Sequence, residues 1–316
     1  MYNEEFKREF MKTVENPLLY EQQFATFEPF EEMYDKDLYD FTVDQILSVY
    51  KSRGTLSFYF LYHINNRNAR YATYALNRNL VKDGQNHYLE IKMPVLMSCL
   101  DKFGVHASVI TREELKMYTG KLLNPLDKYL MWACYDGLDG DEHSEITRLK
   151  YEDIDEEKKI AKLISGRVVN VSDDLILAAR ESKDTYLYDK YLSPDAKGST
   201  NPQNILVGDN IWKVSLRKNT VDSDKARGIQ AYRLLNKCIQ YLDLPNGYIS
   251  IHNLRQSGLI DYVQKLAREN NIQCRDVLYG NEHLFELVSN QYQIKPNQRS
   301  VFYRKYKDFL DDNGAE

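Results

Sequence analysis

The sequence predicts a mainly α, two-domain protein with one small antiparallel sheet. The chain has 316 residues, roughly twice a typical domain. Apolar residues recur at three- and four-residue spacing through most of its length, the period of an amphipathic helix. Residues 160–171 differ: two apolar runs flank Ser165-Gly166, the pattern of a β-hairpin with a tight turn.

Residues 1–105 read as a helical first domain. Thr42-Val43-Asp44-Gln45 opens a helix whose apolar positions continue at Ile46, Leu47 and Tyr50. Arg53-Gly54-Thr55 breaks the pattern, residues 56–63 resume it, and residues 67–80 form a further helix. That helix carries Arg67, Arg70 and Arg78 among Tyr71 and Tyr74. A boundary falls between Lys92 and Ser108, where Met93-Pro94 and Phe103-Gly104 punctuate the chain. The second domain, residues 106–316, starts with Thr111 three residues before Glu114, a capping-box signature. Asn124-Pro125 opens the next helix. The hairpin follows, then a helix at 173–180, a loop at 193–202, and helices at 226–242, 251–269 and 300–311. The last carries Phe302, Tyr306, Phe309 and Leu310 as an apolar stripe, which must bury on its own domain or on a second copy.

At 43% hydrophobic and 28% charged, the chain can fill a core and is not a disordered or collagen-like polymer. Its longest apolar stretch, Phe58-Tyr59-Phe60-Leu61-Tyr62, is too short to span a membrane. The first eight residues lack a signal peptide's apolar core. The four cysteines are far apart, with no Cys-x-x-Cys, so a reduced, cytoplasmic protein is expected. A net charge of −5 argues against a nucleic-acid binder when averaged, but the charge is segregated. Residues 136–157 hold ten acidic and two basic side chains. Residues 213–237 hold seven basic side chains against Asp222 and Asp224, and Arg67, Arg70, Arg78 and Lys82 form a third cluster. Basic and aromatic residues so interleaved suit a DNA backbone, although a tyrosine stripe equally suits core packing.

Nucleotide-binding glycine motifs, the nucleophile elbow and the zinc-protease motif are missing, and the six histidines show no metal-ligand spacing. No cofactor is expected. One ordered constellation remains. Gly140-Asp141-Glu142-His143-Ser144-Glu145 leads through Leu149 to Asp153-Ile154 and the hairpin. His252-Asn253-Leu254-Arg255 follows, then Leu278-Tyr279-Gly280-Asn281 and Tyr292. In this order the motifs resemble the tyrosine recombinase (phage integrase) family over residues 108–295. The resemblance implies a helical core-binding domain ahead of an α-rich catalytic domain.

In that family two arginines clamp the phosphate during tyrosine attack, while a hairpin lysine and histidines help move protons. His252 and Arg255 match the family's His-x-x-Arg. The first arginine position falls on Glu142. The lysine position falls near Ser165-Gly166, with Lys162 close by, and the later histidine is either Asn281 or His283. The resemblance makes Tyr292 the nucleophile of an active site-specific recombinase, or else a relic with His252 and Arg255. Among chains lacking the clamp arginine, this one most resembles the integrase-like lysogeny repressors of SPβ-type Bacillus phages. That implies a catalytically inactive, cytoplasmic, nucleoid-associated repressor, whose partners are a double-stranded DNA operator and a phage-encoded regulator or antirepressor. A protein-interaction module without DNA binding is the third class. The residues expected on DNA are Arg67, Arg70, Arg78, Arg217, Lys218, His252 and Arg255.

Overall fold

A computed structural model describes residues 1–189, 203–215, 222–245 and 248–311. The chain divides into two compact units, Met1–His106 and Ala107–Glu316.

The first unit is helical: α1 (Glu4–Met11), α2 (Pro17–Tyr34), α3 (Val43–Ser52), α4 (Phe58–Leu76), α5 (Met93–Met97) and α6 (Lys102–Ala107), the last running into the second unit. Thr42 and Gln45 cap α3 reciprocally, side chain to backbone in both directions. The core is aromatic, with the Tyr71 ring centroid 5.1 Å from that of Phe10 and 4.9 Å from that of Phe24. Its polar centre is an ion pair with both side chains fully buried, Lys7 Nζ lying 2.6 Å from Glu31 Oε1. The two helical segments expected around residues 56–80 are a single helix that stops at Leu76. Asn65 and Asn66 hid this continuity. Asn65 is buried, accepting from the Tyr50 hydroxyl and donating 3.0 Å to the Tyr88 carbonyl. Its polarity is satisfied by tertiary partners rather than by solvent.

The second unit begins with α7 (Arg112–Lys121), where Thr111 and Glu114 form the expected capping box. The next helix, α8 (Pro125–Tyr135), is buried on nearly every side and forms the centre of the unit. After it come α9 (Ser144–Thr147), then β1 (Ile154–Asp155), β2 (Ile160–Lys162) and β3 (Val168–Asn170), one antiparallel sheet in the order β1-β2-β3. The expected hairpin is β2–β3, closed by Gly166 at φ 87°. Helix α10 (Asp173–Lys183) leads to a second antiparallel set, β4 (Leu187–Asp189), β5 (Gln203–Val207) and β6 (Val214–Ser215), which the sequence pattern did not reveal. The loop expected at 193–202, like Arg217 and Lys218, lies outside the described residues.

Helices α11 (Asp224–Tyr241), α12 (Ile251–Asn270), α13 (Cys274–Tyr279), α14 (Glu282–Tyr292), α15 (Arg299–Lys305) and α16 (Lys307–Asp311) complete the unit. The expected helix at 300–311 is broken at Tyr306. Its stripe is buried within its own unit, with Phe302, Tyr306 and Leu310 each no more than 5% exposed. It needs no second chain to leave water. No described helix is long and apolar enough to cross a membrane.

Gly258 sets how closely α12 approaches α8, because a Cβ there would lie 1.7 Å from the Tyr135 carbonyl oxygen. Backbone cannot yield as a side-chain tip does, so Gly258→Ala should destabilise the protein by about 3 kcal/mol. Gly120 lies in α7 with nothing within 4 Å of its Cβ position. Gly120→Ala should instead stabilise by about 0.5–1 kcal/mol. Urea denaturation of the two variants checks both signs.

Candidate functional site

The site is assembled where the end of α8, the β2–β3 turn, the start of α12 and the end of α14 converge. Leaving α8, the chain turns at Gly137 (φ 89°) and Gly140 (φ 73°), with Glu142 and His143 also left-handed at 52° and 61°. Two successive non-glycine residues in this region carry backbone strain. The turn is forced by contacts: a Cβ on Gly137 would lie 2.5 Å from the Gln291 carbonyl oxygen. One on Gly228 of α11 would lie 2.6 Å from the Glu142 carbonyl oxygen.

Two carboxylates from this turn organise the site. Glu145 is fully buried. Its Oε1 accepts from Arg167 Nε at 2.9 Å and from the Ser165 hydroxyl at 2.5 Å, and its Oε2 accepts from the Asp139 amide at 2.9 Å. Arg167 Nη2 completes a bidentate pair with Oε2. Burial alone would raise the Glu145 carboxyl, but these donors outweigh it and hold it below its ordinary range. Arg167 Nη1 also donates 2.6 Å to the Asn290 carbonyl at the end of α14.

The second carboxylate, Asp139, accepts from Arg255 Nη1 at 2.5 Å and lies 2.6 Å from His143 Nδ1. Arg255 Nη2 donates 2.9 Å to the Tyr292 carbonyl. Arg255 is therefore held beside an internal carboxylate, and sequence reasoning passed over both Asp139 and Arg167. Asp139 was hidden in the acidic run. Arg167 is only two residues beyond Ser165, and that adjacency to the expected lysine position was the available signal.

His252 is exposed in the first turn of α12, which Ser250 caps by accepting from Asn253 N at 3.0 Å. Crowding by protein around its ring, with Lys305 and Arg255 nearby, pushes its pKa down. Tyr292 is 7% exposed, and its hydroxyl donates 2.8 Å to the Tyr135 carbonyl. That burial pushes the phenol well above the ordinary tyrosine range. Glu142 is exposed on its turn, and Lys162 is exposed on β2. Asn281 spends its side-chain oxygen capping α14, accepting from Leu284 N at 3.1 Å, while His283 is exposed one turn in. Both lie at the opposite end of α14 from Tyr292, roughly 14–16 Å away at 1.5 Å per residue. The helix separates groups that linear spacing had placed together.

In the first unit Arg70 is exposed on α4, whereas Arg67 is half-buried. Arg78 lies beyond the helix end, its guanidinium 3.6 Å from the Tyr74 ring centroid. Tyr71 is core, its hydroxyl donating 2.9 Å to Asp37. The basic run at 213–237 is partly internal. Lys213 is 2% exposed and donates to the Ser182 carbonyl, and Arg227 is 3% exposed, pairing with Asp222.

A helical first unit, and a second carrying His-x-x-Arg at the start of α12 with a tyrosine at the end of α14, define a tyrosine-recombinase-like protein. The chain belongs to the MrpR family. Residues 109–313 match the family's C-terminal catalytic domain, and residues 1–77 match its N-terminal core-binding domain. It is similar to the SPbeta prophage-derived uncharacterized protein YopR of Bacillus subtilis (strain 168), with 22% identity over 336 residues, covering 99% of this chain and 94% of that protein.

Removing one partner of the Glu145–Arg167 pair strands a buried charge, so Arg167→Gln should cost about 3–5 kcal/mol near neutral pH. In the wild type, a carboxyl held below its ordinary value near 4.5 stabilises the fold above that pH. This contribution is lost only as the pH falls through the lowered value. In Arg167→Gln the strongest opposition to burial is gone, so Glu145 rises and its protonation relieves the fold. The gap between variant and wild type in urea denaturation should therefore be smaller at about pH 5 than at about pH 7. An equal gap at both pH values would mean that Glu145 is not the group left stranded.

Proposed function

We propose that this protein is a sequence-specific double-stranded DNA-binding protein, acting as a transcriptional (lysogeny) repressor on a catalytically inactive tyrosine-recombinase scaffold. The observation that carries this reading is the Tyr292 hydroxyl, which is buried and donated to the Tyr135 carbonyl. A nucleophile must reach a phosphorus atom and shed its proton, and this hydroxyl is placed for neither. Glu142 at the first clamp position adds to the case. A lost oxyanion donor typically costs about 3–4 kcal/mol of transition-state stabilisation, and a carboxylate there repels the developing charge.

DNA binding asks less of the scaffold. Helix α4 has no aspartate or glutamate along its 19 residues. Its exposed side chains include Tyr59, Tyr62, His63, Asn66, Arg70 and Thr73. A face of hydrogen-bonding, aromatic and basic groups without carboxylates fits a duplex, where phosphate contacts position a protein without chemistry. The repressor role is supported by the prophage origin of the relative and places the protein in the cytoplasm with the nucleoid.

Genomic fragments retained by the purified protein should share a sequence. A nicked suicide substrate carrying that sequence should yield no covalent protein–DNA adduct. An adduct that disappears in Tyr292→Phe would overturn the repressor reading in favour of an active recombinase. Arg70→Ala should weaken binding and reduce the salt slope by about one. An unchanged slope would remove α4 from the interface.

A further inference from the structure

We propose that Lys7, Glu31 and Asp37 form one buried proton-binding site, in which two carboxylates share a single ammonium and take up one proton. That proton controls how firmly α1 is seated on the first unit. The inference does not depend on the DNA-binding reading.

The three side chains come from α1, from α2 and from the segment that follows α2. Lys7 and Glu31 are fully buried, and Asp37 is 4% exposed. Lys7 Nζ lies 2.6 and 2.5 Å from the two Glu31 oxygens, and Glu31 Oε1 also accepts from Leu38 N at 2.9 Å. Asp37 Oδ2 accepts from Asn3 Nδ2 at 3.0 Å and from the Tyr71 hydroxyl at 2.9 Å. Its Oδ1 accepts from Tyr39 N at 3.3 Å. Fully ionised, these groups carry two negative charges against one positive. Cations at the rim are directed elsewhere: Lys36 reaches the Asp40 carbonyl at 3.5 Å, and Lys82 lies 3.9 Å from the Asp40 carboxylate. The Met1 amino group pairs with Glu28, and Asp35 is exposed and adds negative charge beside Tyr2. Tyr2, Tyr39, Tyr71 and Tyr88 also face the carboxylates. Burial and these same carboxylates hold all four phenols above the ordinary tyrosine range, so they remain neutral.

A buried ion without a partner is costlier than its neutral acid, so the pair takes up a proton rather than bear the excess charge. Burial pushes the Glu31 carboxyl up to about 7 and raises that of Asp37, with Lys7 opposing both. At this proximity the two carboxyls titrate together rather than as separate acids. The Glu31 oxygens meet donors that cannot reverse, the Lys7 ammonium and the Leu38 amide. The Tyr71 hydroxyl can turn from donor to acceptor, which gives an acid proton on Asp37 a partner. Undocking α1 admits water to all three groups. A carboxyl held above its ordinary value of 4.5 keeps a proton that the opened, hydrated state releases. This contribution to seating is full below 4.5 and is lost as the pH rises through about 7.

The test uses the full chain and reads hydrogen exchange of the α1 amides, with rates corrected for their intrinsic pH dependence. Protection should fall as the pH rises from about 5 to about 7, by up to about tenfold per pH unit for one proton. Asp37→Asn and Glu31→Gln each leave one carboxylate for the ammonium, and each should remove that dependence. Lys7→Met leaves two carboxylates with no ammonium and should steepen it. A flat wild-type profile would overturn the site. So would a slope that persists in either carboxamide variant, or one that Lys7→Met leaves unchanged. Should a variant fail to fold, the wild type decides alone by NMR of its carboxyl carbons. The Glu31 and Asp37 resonances should shift together through one transition near neutral pH, and separate transitions below about pH 5 would overturn the shared proton.

Discussion

The site depends on a carboxylate that has no access to water. Glu145 leaves the turn after α8 and is held by Arg167 from the β2–β3 hairpin, and Arg167 in turn holds the carbonyls that end α14. Three segments distant in sequence meet on one ion pair. A buried pair of this kind gains little over apolar packing but is costly to break, so its main effect is to fix position. The Gln291 amide extends the lock, donating to the Asp136 and Asn170 carbonyls at 2.6 and 2.8 Å. Tyr292 follows directly, and its orientation towards Tyr135 is a consequence of how α14 is tied down.

What could be read from the sequence was whatever is set locally. Both capping boxes depend on residues three apart: the one expected at Thr111 forms, and the helix start expected at Thr42 carries another. The hairpin depends on two apolar runs and a glycine. The continuity of α4 across Asn65 depends on Tyr50 and Tyr88, and no local pattern shows that. The strands β4 to β6 are short and pair over longer separations, so a local window holds no signal for them. The break at Tyr306 divides a stripe whose residues do bury, because packing on α12 and α13 sets the path of the tail rather than helical periodicity.

The motif residues show the same limit. The order of Glu145, His252, Arg255 and Tyr292 was legible and marked the family, but the partners of these side chains were not. Asp139 stands 116 positions from Arg255, and Tyr135 stands 157 from Tyr292. Spacing assigns a residue to a motif position. Only packing determines whether its reactive atom faces solvent or a carbonyl.

Net charge misled in both directions, for one physical reason. Within the acidic run, Glu145 is internal and paired, Asp139 is shared by Arg255 and the His143 ring, and Asp136 is buried with its carboxyl pushed up to about 6. Within the basic run, Lys213 and Arg227 are internal and satisfied by carbonyls and by Asp222. Both runs therefore project less charge than a formal count assigns them. Cations without an internal partner remain on the surface, among them Arg70 on an acid-free helix and Lys225, Arg233 and Lys237 along α11. A surface field is made by unpaired charges rather than by totals, so a net charge of −5 leaves room for a DNA-facing side.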